Sequence, residues 1–430
     1  MPFLTAAPSY DPSDNNGRIY GVMMDRAETV SAIFNDQFAL PPGSAEAEAA
    51  LLTRVRDFLP QLAGTAASTA TDRRLNDEVL KEMARIGVFR AHVPAEFGGL
   101  QLPYASLAAV AMELGRACGA TAWVTGVTSS GSWRLAKCKP STQAAVWGDN
   151  PDAIIAGAFA HIGGVCEPVA GGFVVSGEWL FCSGVHHADW LGLLMPTVDE
   201  AGRPVPQFGF IPRFAVSIAS TWKSVGMRAT GSDNVVLDKL FVPHEMLTPY
   251  ADINSRIAPG QADHDVPSYR LGLTSVFVYS VAAPLVGTAQ GALDAYAVQA
   301  AKRTTASGQK LPISQIVQLR ISESAAEIDG ARALCERDMA NTRIAAEDNR
   351  DLSDEEKLRI GRNAAFVAMA CRRATTRLVE SMGARGLDPQ NPVQRFHADT
   401  CAGAAHGVLA WDVAGSGWAN HAIANPCILA

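Results

Sequence analysis

The first third of the chain carries apolar residues at the spacing of amphipathic helices. They recur every three or four positions over residues 45–59, and Pro60 predicts the end of this helix. A second helix is predicted over 75–86, and a third and a fourth over 104–137. Residues 1–44 are rich in Pro, Asn, Asp and Gly, so they predict an irregular arm before the first helix.

After residue 150 the pattern changes twice. The central part has short apolar runs of strand character, at 154–156, 172–175, 190–195, 208–211 and 234–242. Helical periodicity then returns in four long segments, at 269–306, 312–347, 353–384 and 395–424. This order predicts an α+β fold with an N-terminal helical domain over 45–150, a central β domain over 151–250 and a C-terminal four-helix bundle over 251–430.

Composition and charge narrow the class of protein. Of the 430 residues, 48% are hydrophobic and 18% charged, which is typical of a globular protein, and the net charge of −7 argues against a nucleic-acid surface. The eight Cys show no CxxC spacing and no clustering with His, so we expect reduced thiols and neither a disulfide framework nor a metal site. The start of the chain has no signal-peptide pattern, and the apolar stretch 276–293 is interrupted by Pro and Gly. We therefore expect a cytoplasmic protein without a membrane span.

The segment 171–190, GGFVVSGEWLFCSGVHHADW, has the pattern of a hairpin that brings distinctive groups together. Gly171-Gly172 and Ser176-Gly177 mark turns, and the second apolar run ends at Cys182-Ser183-Gly184. An aromatic side chain, a hydroxyl group and a flexible backbone at a strand end suit a flat heterocycle, which needs both stacking and hydrogen bonds. An ordinary amphipathic hairpin would show the same pattern.

The order of elements over about residues 45–424 resembles the acyl-CoA dehydrogenase fold. Short motifs fall at matching places: Glu96–Gly99 in the turn after the second helix, Gly226–Ser232 followed by Val242-Pro243, Glu380–Gly386, and Pro392–Arg395 with Asp399. More narrowly, the hairpin segment resembles the flavin-dependent monooxygenases of this fold, which include the oxygenase components for 4-hydroxyphenylacetate, a steroid-derived phenol and dibenzothiophene. The resemblance implies an enzyme that uses a flavin cofactor.

The position of acidic residues favours oxygenation over dehydrogenation. An acyl-CoA dehydrogenase needs a carboxylate base, but no Glu occurs in 395–407 and none between Glu245 and Glu323. His406 stands in the first of these stretches and matches a His that the monooxygenases keep on this helix. A neutral imidazole there can take a phenolic proton or hold a developing charge, although a helix His bonded to a backbone carbonyl remains the alternative.

The resemblance assigns further residues to a flavin site. Ser183 matches the Ser that holds the reactive edge of the flavin, where reduced flavin and O₂ form a C4a-hydroperoxide. Trp179 and Cys182 are expected beside it as pocket walls. Donors for the cofactor phosphates are expected from Arg228, Thr230 and Ser232, and Arg303 and Gly383 are expected near the flavin of a neighbouring subunit.

The substrate side departs from the family pattern. Relatives carry a His just before a Trp that matches Trp133, and here Gly131 occupies that position. The substrate contacts are therefore expected from Ser130, Trp133 and His406, and a bulkier substrate or one without a phenol is an alternative. Solvated hydroxyls on a helix would explain Ser130 equally well.

The predicted function is that of the oxygenase component of a two-component system. Because no GxGxxG follows a strand, the chain has no dinucleotide site, and reduced FMN or FAD is expected from a separate flavin reductase, with O₂ as co-substrate. One oxygen atom enters an aromatic or heteroaromatic small molecule. Oxygenation at N or S, an acyl-CoA dehydrogenase and a non-catalytic helical scaffold are the alternatives, and the resemblance implies a homotetramer.

Overall fold

The computed structural model describes residues 40–261, 266–302 and 314–426. Its N-terminal part is helical. The helices are α1 (Ala45–Asp72), α2 (Asp77–Arg85), α3 (Tyr104–Gly115), α4 (Gly119–Leu135) and α5 (Pro140–Trp147). The prediction of this helical region is confirmed, whereas most of the predicted irregular arm lies outside the described residues.

Helix α1 continues past Pro60, so the predicted end at this residue is wrong. The side chain of Pro60 is exposed, while Leu62 and Ala66 extend the buried face of the helix for two further turns. A proline on the solvent side removes a backbone hydrogen bond whose carbonyl partner can bind water instead. The helix therefore ends only at Arg73, whose backbone is left-handed with φ 57°.

The central part forms two four-stranded sheets. The strands are β1 (Ile155–Ala158), β2 (His161–Val169), β3 (Gly172–Cys182), β4 (Trp190–Met195), β5 (Gln207–Pro212), β6 (Ser217–Ala219), β7 (Asp233–Pro243) and β8 (Leu247–Pro249). One sheet has the order β1-β4-β5-β8 and the other β2-β3-β7-β6, and only the β1–β4 pair of these named strands is parallel. All five predicted strand runs are strands, and the sequence missed β2, β6 and β8.

The C-terminal part is helical again. After the short helices α6 (Tyr250–Asn254) and α7 (Leu273–Val276) come α8 (Val278–Ala301), α9 (Gln315–Glu347), α10 (Asp354–Ser381), α11 (Pro392–Ala404) and α12 (Trp411–Ala424). The predicted helix 395–424 is therefore two helices, separated by a 3₁₀ turn at Gly407–Leu409. The chain leaves the helical path after Ala404, which moves His406 from a helix to a bend.

Helix α8 is the centre of the molecule and packs against α3, α4, α10 and α11. Close approach depends on glycine at two crossings: a Cβ at Gly126 would lie 2.1 Å from the Ser280 carbonyl oxygen, and one at Gly287 would lie 2.0 Å from that of Met112.

The stretch Leu273–Ala301 has the length and composition of a membrane span, but 83% of its most apolar window is buried inside the fold. This is the placement of a core helix. The predicted domain boundaries stay a prediction.

Candidate active site

A cavity of about 700 Å³ lies where the three parts of the chain meet. Its walls come from α4, from the ends of β1 and β3, and from three connecting segments. These are 222–232 before β7, 273–278 at the start of the C-terminal helices, and 402–408 around the end of α11. Most of the lining is apolar and aromatic, with few polar groups, as is usual for sites that bind small molecules.

The polar side of the cavity is a chain of hydrogen bonds through Ser183. The indole N–H of Trp123 donates to Ser183 Oγ at 3.2 Å, Ser183 Oγ lies 2.8 Å from Ser232 Oγ, and Ser232 Oγ lies 2.6 Å from Thr230 Oγ1. The Thr230 hydroxyl donates to the Met227 carbonyl at 2.8 Å.

These four contacts fix which hydroxyl group donates and which accepts in each hydrogen bond. Each hydroxyl has one hydrogen, and that of Thr230 is used on a carbonyl, so Ser232 donates to Thr230 and Ser183 donates to Ser232. Ser183 Oγ thus donates one hydrogen bond and accepts one from Trp123. It keeps one lone pair, which can accept a further hydrogen bond from a ligand N–H.

The segment that carries Thr230 and Ser232 is held by two buried carboxylates. Asp399 of α11 accepts the Met227 N–H at 2.6 Å, and burial raises the pKa of Asp399 to about 6. Asp233 accepts the backbone N–H groups of Thr221 and Trp222, both at 2.7 Å. Met227 needs this support, because its left-handed φ of 50° is unfavourable for a residue with a side chain.

A bulge near the end of β3 decides which of its side chains face the cavity. The pairing with β7 shifts between Trp179 and Cys182, and Phe181 has a left-handed φ of 57°. Leu180 and Phe181 consequently both line the cavity. Trp179 and Cys182 are fully buried away from it, and the Trp179 indole N–H donates to the Leu194 carbonyl at 2.8 Å. Neither residue lines the cavity, so their expected contact with the cofactor stays a prediction.

His406 and Ser183 both contact Trp123. The ring of His406 lies 5.6 Å from that of Trp123 and 6.5 Å from that of Phe277, measured between centroids. Burial lowers the pKa of His406, so the imidazole is neutral at pH 7. Its Nδ1 accepts the Val408 N–H at 3.4 Å, which places the ring proton on Nε2.

Ser130 and Trp133, which were expected to bind substrate, do not line this cavity. Ser130 is fully buried and accepts a hydrogen bond from the Tyr104 hydroxyl at 3.3 Å, and the Trp133 indole N–H donates to the Ser268 carbonyl at 2.9 Å. A Cβ at Gly131 would lie 2.4 Å from the Ile155 carbonyl oxygen. The glycine therefore reflects the close approach of α4 to β1, which leaves no room for a histidine.

Two further predicted cofactor residues, Arg228 and Gly383, do not line the cavity. Arg228 begins the 3₁₀ turn before Ser232, and its Nε is buried without a hydrogen-bond partner in the part of the chain that the structure describes. Gly383 opens a turn after α10 with a φ of 60°. Arg303 lies outside the described residues.

The sequence reasoning missed seven aromatic or charged residues of the cavity: Trp123, Arg134, Phe159, Phe181, Trp222, Tyr250 and Phe277. Trp123, Val127 and Arg134 share one face of α4, at helical spacing. Because nearly every residue of α4 is buried, no hydrophobic pattern marked that face as different from the others.

The comparison with known families agrees with this architecture. Residues 45–147 match the acyl-CoA dehydrogenase N-terminal domain, and residues 279–411 match the acyl-CoA dehydrogenase C-terminal domain. The two matches together cover more than half of the chain and confirm the predicted fold class.

Several similar relatives are named as monooxygenases or hydroxylases. The flavin-dependent monooxygenase oxygenase subunit HsaA of Mycobacterium tuberculosis is 32% identical over 360 residues, which are 83% of this chain and 91% of that protein. The oxygenase component of the FADH₂-dependent resorcinol hydroxylase of a Rhizobium species is 32% identical over 395 residues, or 89% and 96% of the two chains. The structure of XiaF from a Streptomyces species in complex with FADH₂ and glycerol superimposes with a TM-score of 0.79 at 27% identity, covering 87% and 95%.

The chain belongs to the flavin-dependent monooxygenases that have the acyl-CoA dehydrogenase fold. It is therefore an oxidoreductase, and the predicted choice of oxygenation over dehydrogenation is confirmed.

The cavity fits the flavin ring that this family uses. Trp123, Phe181 and Trp222 offer aromatic faces, and Ser183 offers a free acceptor lone pair beside them. Stacking surfaces and a hydrogen-bond acceptor thus meet the needs of a reduced flavin ring.

Proposed function

We propose that this chain hydroxylates an aromatic small molecule, with reduced FMN or FADH₂ from a separate reductase and with O₂ as the oxygen source. The observation that carries the proposal is the position of Trp123. Its N–H donates to Ser183, and its ring packs against His406. One residue thus separates a flavin-facing hydroxyl from a substrate-facing imidazole within a single cavity.

On the flavin side, Ser183 accepts a hydrogen bond from the reduced ring and holds its reactive edge against the cavity. The reduced flavin supplies two electrons to O₂, so that one oxygen atom enters the substrate and the other leaves as water. Phe181 and Trp222, whose rings lie 6.4 Å apart, add aromatic surface to the cavity wall on this side. Thr230 and Ser232 keep the Ser183 hydrogen pointed away from the ligand.

On the substrate side, His406 donates its Nε2 proton to the oxygen of a phenol or phenolate. The hydrogen bond from Val408 to Nδ1 favours this tautomer. The ring then stabilises the charge that develops on the substrate oxygen during transfer, which is the second of the two roles considered from the sequence. Relatives named for resorcinol and p-hydroxyphenylacetate, both phenols, support a phenolic substrate.

A coupled assay tests the proposal. The full chain is mixed with a flavin reductase, NADH, FMN or FAD, and a panel of phenols, and the products are analysed by mass spectrometry. We expect at least one phenol to gain one oxygen atom only when both proteins are present. If every phenol is unchanged while an acyl-CoA reduces tightly bound FAD, the enzyme is a dehydrogenase.

We also propose a homotetramer, with residues 380–386 and Arg303 near the flavin of a neighbouring subunit. Exposed apolar side chains support an association through the C-terminal helices: Val413 and Ile423 of α12 are 73% and 76% exposed. Light scattering at micromolar concentration tests this, and a monomeric mass contradicts it.

A further inference from the structure

The most unusual charged group of the cavity is Arg134, in the last turn of α4. It lines the cavity, yet the residue is only 1% exposed. Within residues 40–261, 266–302 and 314–426, no hydrogen bond or ion pair joins its guanidinium to another residue, and its Nε is buried without a partner. A buried cation without a counter-charge is unfavourable until an anion reaches it.

The neighbouring Lys137 shows how a buried basic side chain with a structural role is hydrogen-bonded in this fold. Lys137, one turn further along, is fully buried, and its ammonium donates to the carbonyls of Ser255, Tyr269 and Leu271 at 2.9, 3.0 and 2.5 Å. Lys137 therefore ties the 255–271 segment to α4. Arg134 has no such acceptors, so holding a backbone segment does not explain its presence.

The space around Arg134 is shaped for a guanidinium group. Gly157 of β1 and Gly192 of β4 are register partners, and a Cβ on them would lie 2.7 and 3.4 Å from Arg134 Nη2. The Cζ atom lies 5.2 and 4.8 Å from the ring centroids of Phe159 and Phe208. The two glycines, which have no side chains, and the two aromatic rings thus form a niche for the guanidinium group.

Arg134 remains positively charged at neutral pH. Burial lowers its pKa to about 10, and the groups that act on it electrostatically are Tyr104, Cys138, Cys182 and Tyr250, none of which is a carboxylate. The cavity therefore carries a positive charge that the surrounding described residues do not neutralise.

The niche lies at a distance from His406, along a row of aromatic rings. Phe277 is 6.5 Å from His406 and 5.0 Å from Phe159, and Phe159 packs against Arg134. A molecule that reaches from His406 to Arg134 therefore lies along these rings and has polar groups at both ends.

We propose that Arg134 binds a carboxylate of the substrate, so that the substrate class is an aromatic acid with its oxidisable ring near His406 and its acid group at the far end of the cavity. This inference rests on the proposed function, because it takes the substrate to occupy the same cavity. The planar N–H groups of an arginine suit a carboxylate, and the apolar walls suit the ring.

Ligand binding to the full chain without reductant tests the proposal apart from catalysis. The probes are 4-hydroxyphenylacetate, 3-hydroxybenzoate and 4-hydroxycinnamate, each compared with its neutral primary amide. Fluorescence of Trp123 and Trp222 on the cavity wall, or calorimetry, gives the dissociation constants. We expect at least one acid to bind roughly 10- to 100-fold more tightly than its amide. Acetate alone should bind at least about 10-fold more weakly than that acid.

Substitutions of Arg134 test whether its positive charge causes the preference for the acid. Arg134→Met should abolish the preference for the acid, whereas the affinity for the amide changes less than about threefold, and Arg134→Lys should keep part of the preference. Arg203→Met, at a surface arginine with a side chain 79% exposed, is the control for net charge and should keep the full preference.

Several outcomes overturn the proposal. Equal binding of acids and amides by the wild-type protein does so without any variant, and a preference that survives in Arg134→Met does so as well. Acetate binding as tightly as the aromatic acids would show that the niche holds a free anion. Failure of the oxygenation assay leaves these binding results unaffected, so the two proposals fail separately.

Discussion

The indole N–H of Trp123 donates a hydrogen bond to Ser183 Oγ at 3.2 Å. This bond occupies one of the two lone pairs of Ser183 and thereby orients the other toward the cavity. Trp123 belongs to α4 and Ser183 to the end of β3, so the contact also aligns the helical and the sheet parts of the site.

Trp123→Phe should weaken this orientation while it keeps an aromatic ring beside His406. A lost neutral hydrogen bond is worth about 1 kcal/mol, so we expect roughly a fivefold increase in H₂O₂ formed per hydroxylated product. Peroxide and product are measured in the same coupled assay. An unchanged ratio would show that the N–H of Trp123 does not act through Ser183.

His406→Asn should slow oxygen transfer to a phenol by about 10²–10⁴-fold, the usual weight of a positioned acid–base group. Flavin binding should persist, because Ser183 and the aromatic walls are unchanged. Single-turnover product formation gives the rate, and flavin titration gives the affinity. His397→Asn is the matched control, since His397 contacts Thr375 Oγ1 at 3.3 Å and does not line the cavity.

The pH dependence of the reaction rate should reflect the protonation of His406. Burial lowers its pKa below the ordinary 6.5, so the neutral ring persists at pH 6.5 and is protonated only in more acidic solution. The acid limb of kcat should therefore have a midpoint below 6.5 and should be absent in His406→Asn. A midpoint above 6.5 that survives in the variant assigns the titration to another group.

Asp399→Asn should change the pH dependence of stability. The pKa of Asp399 is about 6 in the folded protein against an ordinary 3.8, so the folded state holds the proton more tightly. This contribution to the free energy of unfolding is full below about pH 4 and is lost as the pH rises through 6, by about 3 kcal/mol.

The asparagine oxygen can still accept the Met227 N–H, but the side chain does not ionise. Relative to the wild type, the variant should therefore gain stability between pH 4.5 and pH 7.5, as measured by urea unfolding. An equal difference between the two proteins at both pH values would contradict this account of Asp399.

The sequence predicted the long helices because their apolar periodicity extends over many turns, as in α9. It predicted β4 and β5 for a different reason, since the runs 190–195 and 208–211 are short and apolar throughout. The strand β2 was missed because its residues are mostly exposed and include Gly163 and Gly164. The break between α11 and α12 was missed because apolar residues continue through the turn that follows His406.

The site was predicted only in part, for a geometric reason. Ser183, Thr230, Ser232 and His406 were identified and do line one cavity. Trp179 and Cys182 were expected on its wall from the resemblance, and both lie off it beside a bulge where Phe181 has a positive φ. A left-handed φ at a non-glycine residue leaves no signal in the sequence.

Ser183→Ala in the coupled assay tests the central claim most directly. The variant should remain folded, since only a small hydroxyl is lost, and a hydrogen bond to the reacting ring is worth about 1–3 kcal/mol. Ser130→Ala is the matched control, because Ser130 is also buried but accepts a hydrogen bond from Tyr104 and does not line the cavity. We expect Ser183→Ala to divert most turnover to H₂O₂ while Ser130→Ala keeps the wild-type ratio of product to peroxide. A wild-type ratio in Ser183→Ala would contradict the assignment of this cavity as the site of oxygen transfer.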